Sequence, residues 1–128
     1  MDRKKILIVD DEDDDLWVLG KGLAAEGYSV ITASCGNDAI SLAKSKRPDV
    51  LILDVLMPDV DGPEVSRRLR EDPGTKGIPI IFLTGMLPKR EDYEDGHLVA
   101  GYVLFDKPYD ILKLVSAIEE LLREKVAL

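Results

Sequence analysis

Short runs of apolar residues recur along the chain and are separated by amphipathic stretches. The five runs are residues 6–9, 30–31, 50–53, 78–83 (interrupted by Pro79) and 102–105. The longer runs are rich in β-branched residues and are apolar at consecutive positions, which is typical of strands buried on both faces of a parallel sheet. The pattern therefore predicts five strands of this kind.

The stretches between the runs have helical spacing. Helices are predicted over residues 14–26, 37–46, 63–71 and 110–125, the last with Asp110 as its N-cap. Between Leu83 and Tyr102 a further short helix, fourth in chain order and expected to be the most mobile, is predicted over residues 88–95, where Gly96 and Gly101 limit it. This alternation predicts an α/β protein of five β-α units, with helices on both faces of a parallel sheet.

The length of 128 residues fits one domain over residues 1–128. Cys35 is the single cysteine, so no internal disulfide can form. The sequence has no signal-like N-terminal segment and no apolar run near the roughly 20 residues that a membrane-spanning helix needs. We therefore expect a cytoplasmic protein without membrane association.

The net charge is −8. A negative field disfavours direct binding to nucleic acid, which depends on basic side chains that neutralise phosphates. It permits metal cations and basic partner surfaces. The acids are concentrated at residues 10–15, an unbroken acidic run that follows the first predicted strand.

Four of the predicted strands end in polar residues. These are Asp10 and Asp11, Asp54, Thr84, and Asp106 with Lys107. In an open parallel sheet the carboxyl ends of the strands share one edge, where ligands bind. We therefore expect carboxylates, a hydroxyl and an ammonium group to meet across a small cleft.

The three carboxylates of Asp10, Asp11 and Asp54 would repel one another in such a cleft. A hard divalent cation relieves this repulsion, and oxygen ligands suit Mg²⁺, with Mn²⁺ as a substitute. Mg²⁺ commonly binds one or two carboxylates together with phosphate oxygens, so a phosphoryl group is the expected remaining ligand. Lys107 and Thr84 would contact its oxygens, and a carboxylate can act as the nucleophile toward phosphorus.

Four segments carry a resemblance to a known family. They are VDDE at residues 9–12, LDVLMPDVDG at 53–62, LTG at 83–85 and DKPY at 106–109. Together, and in this order, they resemble the motifs of response-regulator receiver domains. The resemblance implies a flavodoxin-like three-layer sandwich, (βα)5, with strand order 2-1-3-4-5.

The resemblance also implies roles for the residues around the metal. Asp54 would be the phosphoacceptor and a metal ligand. Asp11 would bind Mg²⁺ directly and Asp10 largely through coordinated water, while the backbone carbonyl of Leu56 would complete the protein's share of the ligands.

The residues around the phosphoryl group receive roles in the same way. Thr84 would move toward the phosphoryl group and Lys107 would contact one of its oxygens. Pro108 resembles the family's cis-proline, which would direct Lys107 inward. Gly62 would end the loop after Asp54, where a side chain would crowd it.

The switch region departs from the family pattern. Receivers usually place an aromatic residue three positions before the lysine, and here that residue is Leu104. Phe105 and Tyr102 are the aromatic residues close to it, and Tyr109 is a further candidate for the switch or output. The residues two beyond Asp54 and two beyond Thr84 are the apolar Leu56 and Met86. Neither can orient a water molecule, which predicts a long-lived phosphoryl-aspartate.

The predicted function is a phosphorylation switch of a two-component or phosphorelay pathway, without turnover of an external substrate. Its expected partners are a sensor histidine kinase or phosphotransfer protein and a downstream target or fused output domain. A homodimer through the fourth helix, fifth strand and fifth helix is a further expectation. The chain is either a single-domain regulator or part of a longer protein.

Two alternatives remain open at this point. A phosphohydrolase with an aspartyl nucleophile would usually carry a second Asp where Leu56 stands, which disfavours it. A pseudo-receiver that acts by protein contacts alone would usually lack an acidic or lysine position, and none is missing here.

Overall fold

The computed structural model describes residues 3–85, 97–99, 102–107 and 109–127. Its strands and helices, numbered separately in chain order, are β1 (Lys5–Val9), α1 (Asp13–Ala25), β2 (Ser29–Ala33), α2 (Gly36–Lys46), β3 (Val50–Asp54), α3 (Gly62–Glu71), β4 (Ile80–Thr84), β5 (His97–Val99), β6 (Tyr102–Asp106) and α4 (Ile111–Ala127). No helix in these described segments is long and apolar enough to cross a membrane.

The strands form one sheet in the order β2-β1-β3-β4-β6-β5. Five of them are parallel, and they follow the predicted order 2-1-3-4-5 when β6 is counted as the fifth parallel strand. β5 pairs antiparallel to β6 at the outer edge of the sheet. The predicted parallel sheet is confirmed.

The central strands are apolar at consecutive positions because both of their faces are covered. Leu51 is fully buried in a cluster with residues of α2 and α3, whereas Ile52 is buried on the opposite face with residues of α1 and α4. Burial of each such side chain contributes about 1.5–3 kcal/mol relative to exposure. The sheet is therefore the middle of three layers, as predicted.

Two of the helices, α3 and α4, begin at an aspartate whose side chain binds a free backbone amide. The Asp61 side chain accepts a hydrogen bond of 2.9 Å from the Glu64 amide and caps α3. Asp110 accepts one of 2.9 Å from the Leu112 amide, which confirms its predicted role at the start of α4. α1 has acidic residues in its first turn, and their negative charges interact favourably with the positive end of the helix dipole.

The segment between Leu83 and Tyr102 differs in part from its prediction. Residues 97–99 form the strand β5, which the sequence did not predict, and the sheet has six strands rather than five. The short fourth helix predicted over residues 88–95 lies outside the described part of the chain. α4 is thus the fifth helix of the sequence prediction.

Candidate functional site

The polar residues at the strand ends meet at one edge of the sheet, as expected for parallel strands. Asp10 follows β1, Asp54 ends β3, and Thr84 ends β4. Ligand oxygens of Asp10, Asp11 and Asp54 lie within 4.8 Å of one another. Asp10 is buried, Asp54 is partly buried and Asp11 is exposed. The site therefore opens to solvent on the Asp11 side.

Lys107 follows β6 and directs its ammonium group at these carboxylates. Its Nζ donates to Asp10 Oδ2 at 2.6 Å and to Asp54 Oδ2 at 3.4 Å. The Lys107 amide donates to the Thr84 carbonyl at 3.0 Å, which extends the pairing of β4 with β6 beyond Thr84 and Asp106. The sheet backbone thus fixes where the lysine leaves β6.

The protonation state of Asp54 is set by opposing effects. Burial raises the pKa of Asp54, and the nearby Asp10 carboxylate raises it further. Lys107 and the Leu56 amide, which donates to Asp54 Oδ1 at 3.3 Å, act against this rise. Burial by itself would lower the pKa of Lys107, but its hydrogen bond to Asp10 and the charges of Asp10 and Asp54 raise it instead, so the amine stays protonated.

The donor set of this cluster fits a hard divalent cation. It offers carboxylate oxygens only, without sulfur or imidazole, which is the preference of Mg²⁺ and Mn²⁺. Asp10 Oδ2 already accepts a hydrogen bond from Lys107 Nζ at 2.6 Å, while Asp10 Oδ1 accepts one from the Glu12 amide at 3.0 Å. Asp11 contributes a carboxylate on the solvent side, where an ion can enter with its water ligands.

The comparison with protein families decides the classification. The family model of the response regulator receiver domain matches residues 6–119. The chain belongs to this family. The family assignment agrees with the strand order and with the acidic site at the carboxyl edge of the sheet.

Relatives of this receiver differ greatly in total length. Response regulator PleD of Caulobacter vibrioides is 36% identical over 124 residues, which are 97% of this chain and 27% of PleD. Protein PilH of Pseudomonas aeruginosa is 38% identical over 117 residues, which are 89% of this chain and 96% of PilH. The receiver therefore spans about a quarter of the length of PleD and nearly all of PilH.

A solved structure supports the same fold. Chemotaxis protein CheY4 of Vibrio cholerae superimposes on this receiver with a TM-score of 0.79 and 30% sequence identity. The match covers 94% of this chain and 99% of the CheY4 chain.

Gly62 lies where the receiver has no room for a side chain. A Cβ atom there would be 2.6 Å from the Asp54 carbonyl oxygen, 3.0 Å from Val55 Cα and 3.2 Å from Phe82 Cε1. The Gly62 amide donates to the Val55 carbonyl at 2.9 Å and closes the loop after β3. The close contact is consistent with the role predicted for this glycine.

The predicted switch residues lie in different surroundings. Leu104 is partly buried on the α2 and α3 face of the sheet. Phe105 is 1% exposed and belongs to the core on the opposite face, so its position favours a packing role over a mobile switch. Tyr109 is partly buried beside the α1 and α4 cluster. Burial, and then the charge of Asp15, raise the pKa of its phenol.

Some predicted residues can be located only in part. Thr84 is buried at the end of β4. Pro108 and Met86 lie outside the described residues, so the cis-proline and the effect of Met86 on lifetime stay predictions. The Leu56 side chain is exposed beside the site.

Two acidic residues that make contacts distant in sequence were not singled out from the sequence. Asp15 accepts a hydrogen bond of 3.3 Å from Lys107 Nζ. It lies in the first turn of α1 and belongs to the acidic run at residues 10–15, which is the signal that the sequence offered. Asp59 accepts from the amides of Gly36 and Asn37, which are 23 and 22 residues away, and no local pattern indicates such a contact.

A cleft of about 720 Å³ lies beside the carboxylate cluster, between α1 and the start of α4. Asp10, Asp15 and Lys107 line its polar end, and Val18 and Ile111 contribute to its apolar walls. Trp17 and Val18 on α1 are 65% and 57% exposed. Trp17 is thus a surface residue, with Lys21 Nζ 5.0 Å from the centre of its ring.

Proposed function

We propose that this receiver is a phosphorylation switch in which Asp54 takes a phosphoryl group from a phosphohistidine. The observation that carries the proposal is the convergence of Asp10, Asp11 and Asp54 within 4.8 Å while Lys107 donates to Asp10 and Asp54. A partly buried carboxylate between a cation and two further acids is suited to accept and release a phosphoryl group.

In the proposed transfer, a carboxylate oxygen of Asp54 attacks phosphorus. The new P–O bond forms as the P–N bond to the donor imidazole breaks, and the nitrogen keeps the electron pair. Lys107 and the Leu56 amide favour the ionised form of Asp54, which is the nucleophile. Lys107 then exchanges a carboxylate contact for a phosphoryl oxygen, and Thr84 supplies a hydroxyl donor on the neighbouring strand.

The metal ion of the proposal is Mg²⁺, with Mn²⁺ as a substitute. Asp10, Asp11 and Asp54 with the Leu56 carbonyl would hold it. When bound, it supplies positive charge that lowers the repulsion between the carboxylates and the phosphoryl oxygens. Asp10 contacts Lys107 at 2.6 Å, so a role for Asp10 through coordinated water is consistent with its contacts.

The proposed partners are a sensor histidine kinase or phosphotransfer protein and a downstream protein or output domain. The exposed Val18, which lines the cleft, and the exposed Trp17 next to it in α1 support docking of a protein donor. We propose that residues 1–128 form one cytoplasmic domain without direct nucleic-acid contacts. The downstream partner would bind the surface formed by the predicted fourth helix, β6 and α4, and a homodimer would form through the same surface. Leu104 and Tyr109 are the candidate switch residues.

The test is phosphorylation by a small donor. Incubation with acetyl phosphate and Mg²⁺ is expected to add the mass of one phosphoryl group to the intact protein. The gain should disappear without divalent metal and in Asp54→Ala, since Asp54 is the nucleophile. A gain that persists in Asp54→Ala would place the modification elsewhere, and no gain with any phosphodonor would favour the pseudo-receiver.

Metal binding can be tested separately from phosphorylation. Millimolar Mg²⁺ is expected to raise the melting temperature by several degrees, because it binds the folded protein and relieves carboxylate repulsion. Asp11→Asn should lose most of this increase, although without metal it should melt no lower than the wild type. Thermal melts with and without Mg²⁺ measure both effects.

Asp13→Asn is the matched control for Asp11→Asn. Both residues are exposed and belong to the same acidic run, but only Asp11 belongs to the group that could hold a metal ion. The Asp13 variant should therefore keep the full response to Mg²⁺. Equal losses in the two variants would indicate a diffuse charge effect and contradict a site at Asp11.

A further inference from the structure

Helix α2 begins without a cap of its own. Cys35 occupies its N-cap position in an extended conformation, and its side chain makes no capping hydrogen bond. The first two amides of the helix are instead bound by a residue distant in sequence. Gly36 N donates to Asp59 Oδ1 and Asn37 N to Asp59 Oδ2, each at 2.9 Å.

Asp59 belongs to the loop between β3 and α3, residues 55–61, here called the acceptor loop. This loop begins directly after Asp54 and includes Leu56, whose carbonyl is the proposed backbone ligand of the metal. The Asp59 carboxylate binds both amides, and these two hydrogen bonds lower its pKa to about 2. The carboxylate is therefore ionised, and two charge-assisted hydrogen bonds join the acceptor loop to α2.

Close packing supports the same connection. A Cβ atom on Gly36 would lie 2.5 Å from the Val60 carbonyl oxygen and 2.8 Å from Val60 Cβ. The backbone of the acceptor loop thus lies against the first residue of α2, at a distance that only glycine allows. Gly36 and Asp59 together fix the middle of the loop, while Gly62 N closes its end by donating to the Val55 carbonyl at 2.9 Å.

We propose that Asp59 is a positioning residue, which holds the acceptor loop on α2 and thereby orients the Leu56 carbonyl for binding the divalent cation. Within the described part of the chain, the Asp59 side chain accepts from the Gly36 and Asn37 amides and makes no hydrogen bond to Asp54 or to the other carboxylates of the site. It acts through the loop, as residues that orient metal ligands commonly do. The inference rests on the metal site of the proposed function, and it adds that contacts with α2 hold that site in place.

The acceptor loop offers a matched pair of variants. Asp59→Asn and Asp61→Asn each remove one negative charge from the loop and keep the shape of the side chain. Asparagine at position 61 can still accept from the Glu64 amide, since one oxygen makes that bond. Asparagine at 59 keeps only one acceptor for two amides.

Mg²⁺ affinity, measured by calorimetric titration of the unphosphorylated protein, is the decisive quantity. We expect Asp59→Asn to weaken binding by about 10-fold, as loss of a residue that orients a metal ligand typically does. The Mg²⁺ affinity of Asp61→Asn should stay within about 2-fold of the wild-type value, because Asp61 caps α3 and orients no metal ligand. Equal affinities in the two variants would overturn the inference.

A rescue experiment separates positioning from helix capping. Cys35→Ser, added to Asp59→Ala, gives α2 its own N-cap and should recover stability lost at the helix. The Mg²⁺ affinity should remain low, because the loop is still detached. If the serine restored the affinity as well, Asp59 would act only as a cap, and the inference would be wrong.

The readouts distinguish this inference from the proposed function. A protein that binds Mg²⁺ normally and never gains a phosphoryl group refutes the phosphorylation switch alone. If the protein is phosphorylated and Asp59→Asn leaves its Mg²⁺ affinity unchanged, only the positioning role is refuted. A wild type that binds no Mg²⁺ refutes the metal site and the positioning role together.

Discussion

Lys107→Met is expected to slow phosphorylation by acetyl phosphate by about 100- to 1,000-fold, the usual effect of removing a group that stabilises developing charge. Lys107 Nζ donates to Asp10 and Asp54. Methionine keeps much of the aliphatic length and removes only the ammonium group. The rate is measured from the mass gain of the intact protein over time.

The same variant should also lose stability in the absence of metal. The Asp10 side chain, only 6% exposed, would be left without its cation, at a cost of about 2 kcal/mol. Urea denaturation measures this cost. Added Mg²⁺ should reduce the difference from the wild type, because the metal replaces the missing positive charge.

The stability difference depends on pH with a definite sign. The folded protein raises the pKa of Asp54, so Asp54 contributes stability at low pH that is lost as pH rises through its folded pKa. Without Lys107 that pKa rises further. The deficit of Lys107→Met should therefore be larger at neutral pH than at pH values near 4, the ordinary pKa of an aspartate.

Lys113→Met is the control for this variant. It removes the same charge from the exposed surface of α4, so its phosphorylation rate and its response to Mg²⁺ should match the wild type. If Lys113→Met were as slow as Lys107→Met, net charge rather than the local contact would govern the rate.

Gly62→Ala is expected to destabilise the protein by about 2 kcal/mol, as overpacking of a buried position commonly does. In a helix alanine is otherwise favoured over glycine, so the sign of the effect reports the close contacts. The added methyl group would meet the Asp54 carbonyl oxygen at 2.6 Å and Val55 Cα at 3.0 Å. These are backbone atoms, and relief of the contact must move the phosphoacceptor.

A shift of the phosphoacceptor should also slow phosphorylation, by about 100-fold for a displacement near 1 Å. Gly77→Ala is the matched control, because a Cβ atom at Gly77 meets nothing within 4 Å. Denaturant melts and mass spectrometry should show wild-type behaviour there. A Gly62→Ala protein of normal stability and rate would mean that the loop adjusts without moving Asp54.

The fold could be predicted from the sequence because the apolar runs are consecutive. Runs such as residues 50–53 are buried on both faces, which only a covered parallel sheet requires. The direction of the strands then fixes where Asp10, Asp54 and Thr84 meet. The carboxylate cluster is therefore a consequence of strand direction, and sequence alone was enough to predict it.

The remaining features depend on contacts between segments far apart in the chain. β5 has only three residues, which is too short for a periodic pattern to predict it, and its structure depends on pairing with β6. The contact of Asp59 with α2 depends on how the acceptor loop packs. Side chains alternate between the two faces of β6, and the sequence alone did not determine which of Leu104 and Phe105 points toward α2. The structure places Leu104 on the α2 side and Phe105 on the opposite face.

Because the antiparallel strand β5 pairs with β6, β6 is not an edge strand of the sheet. Leu104 has Phe82 of β4 as its register partner on one side and His97 of β5 on the other. The strand that precedes Lys107 is therefore an interior strand, held by backbone pairing along both sides. Any displacement of β6 would therefore also act on β5, because the three residues of that outer strand are paired with residues 102–104 of β6.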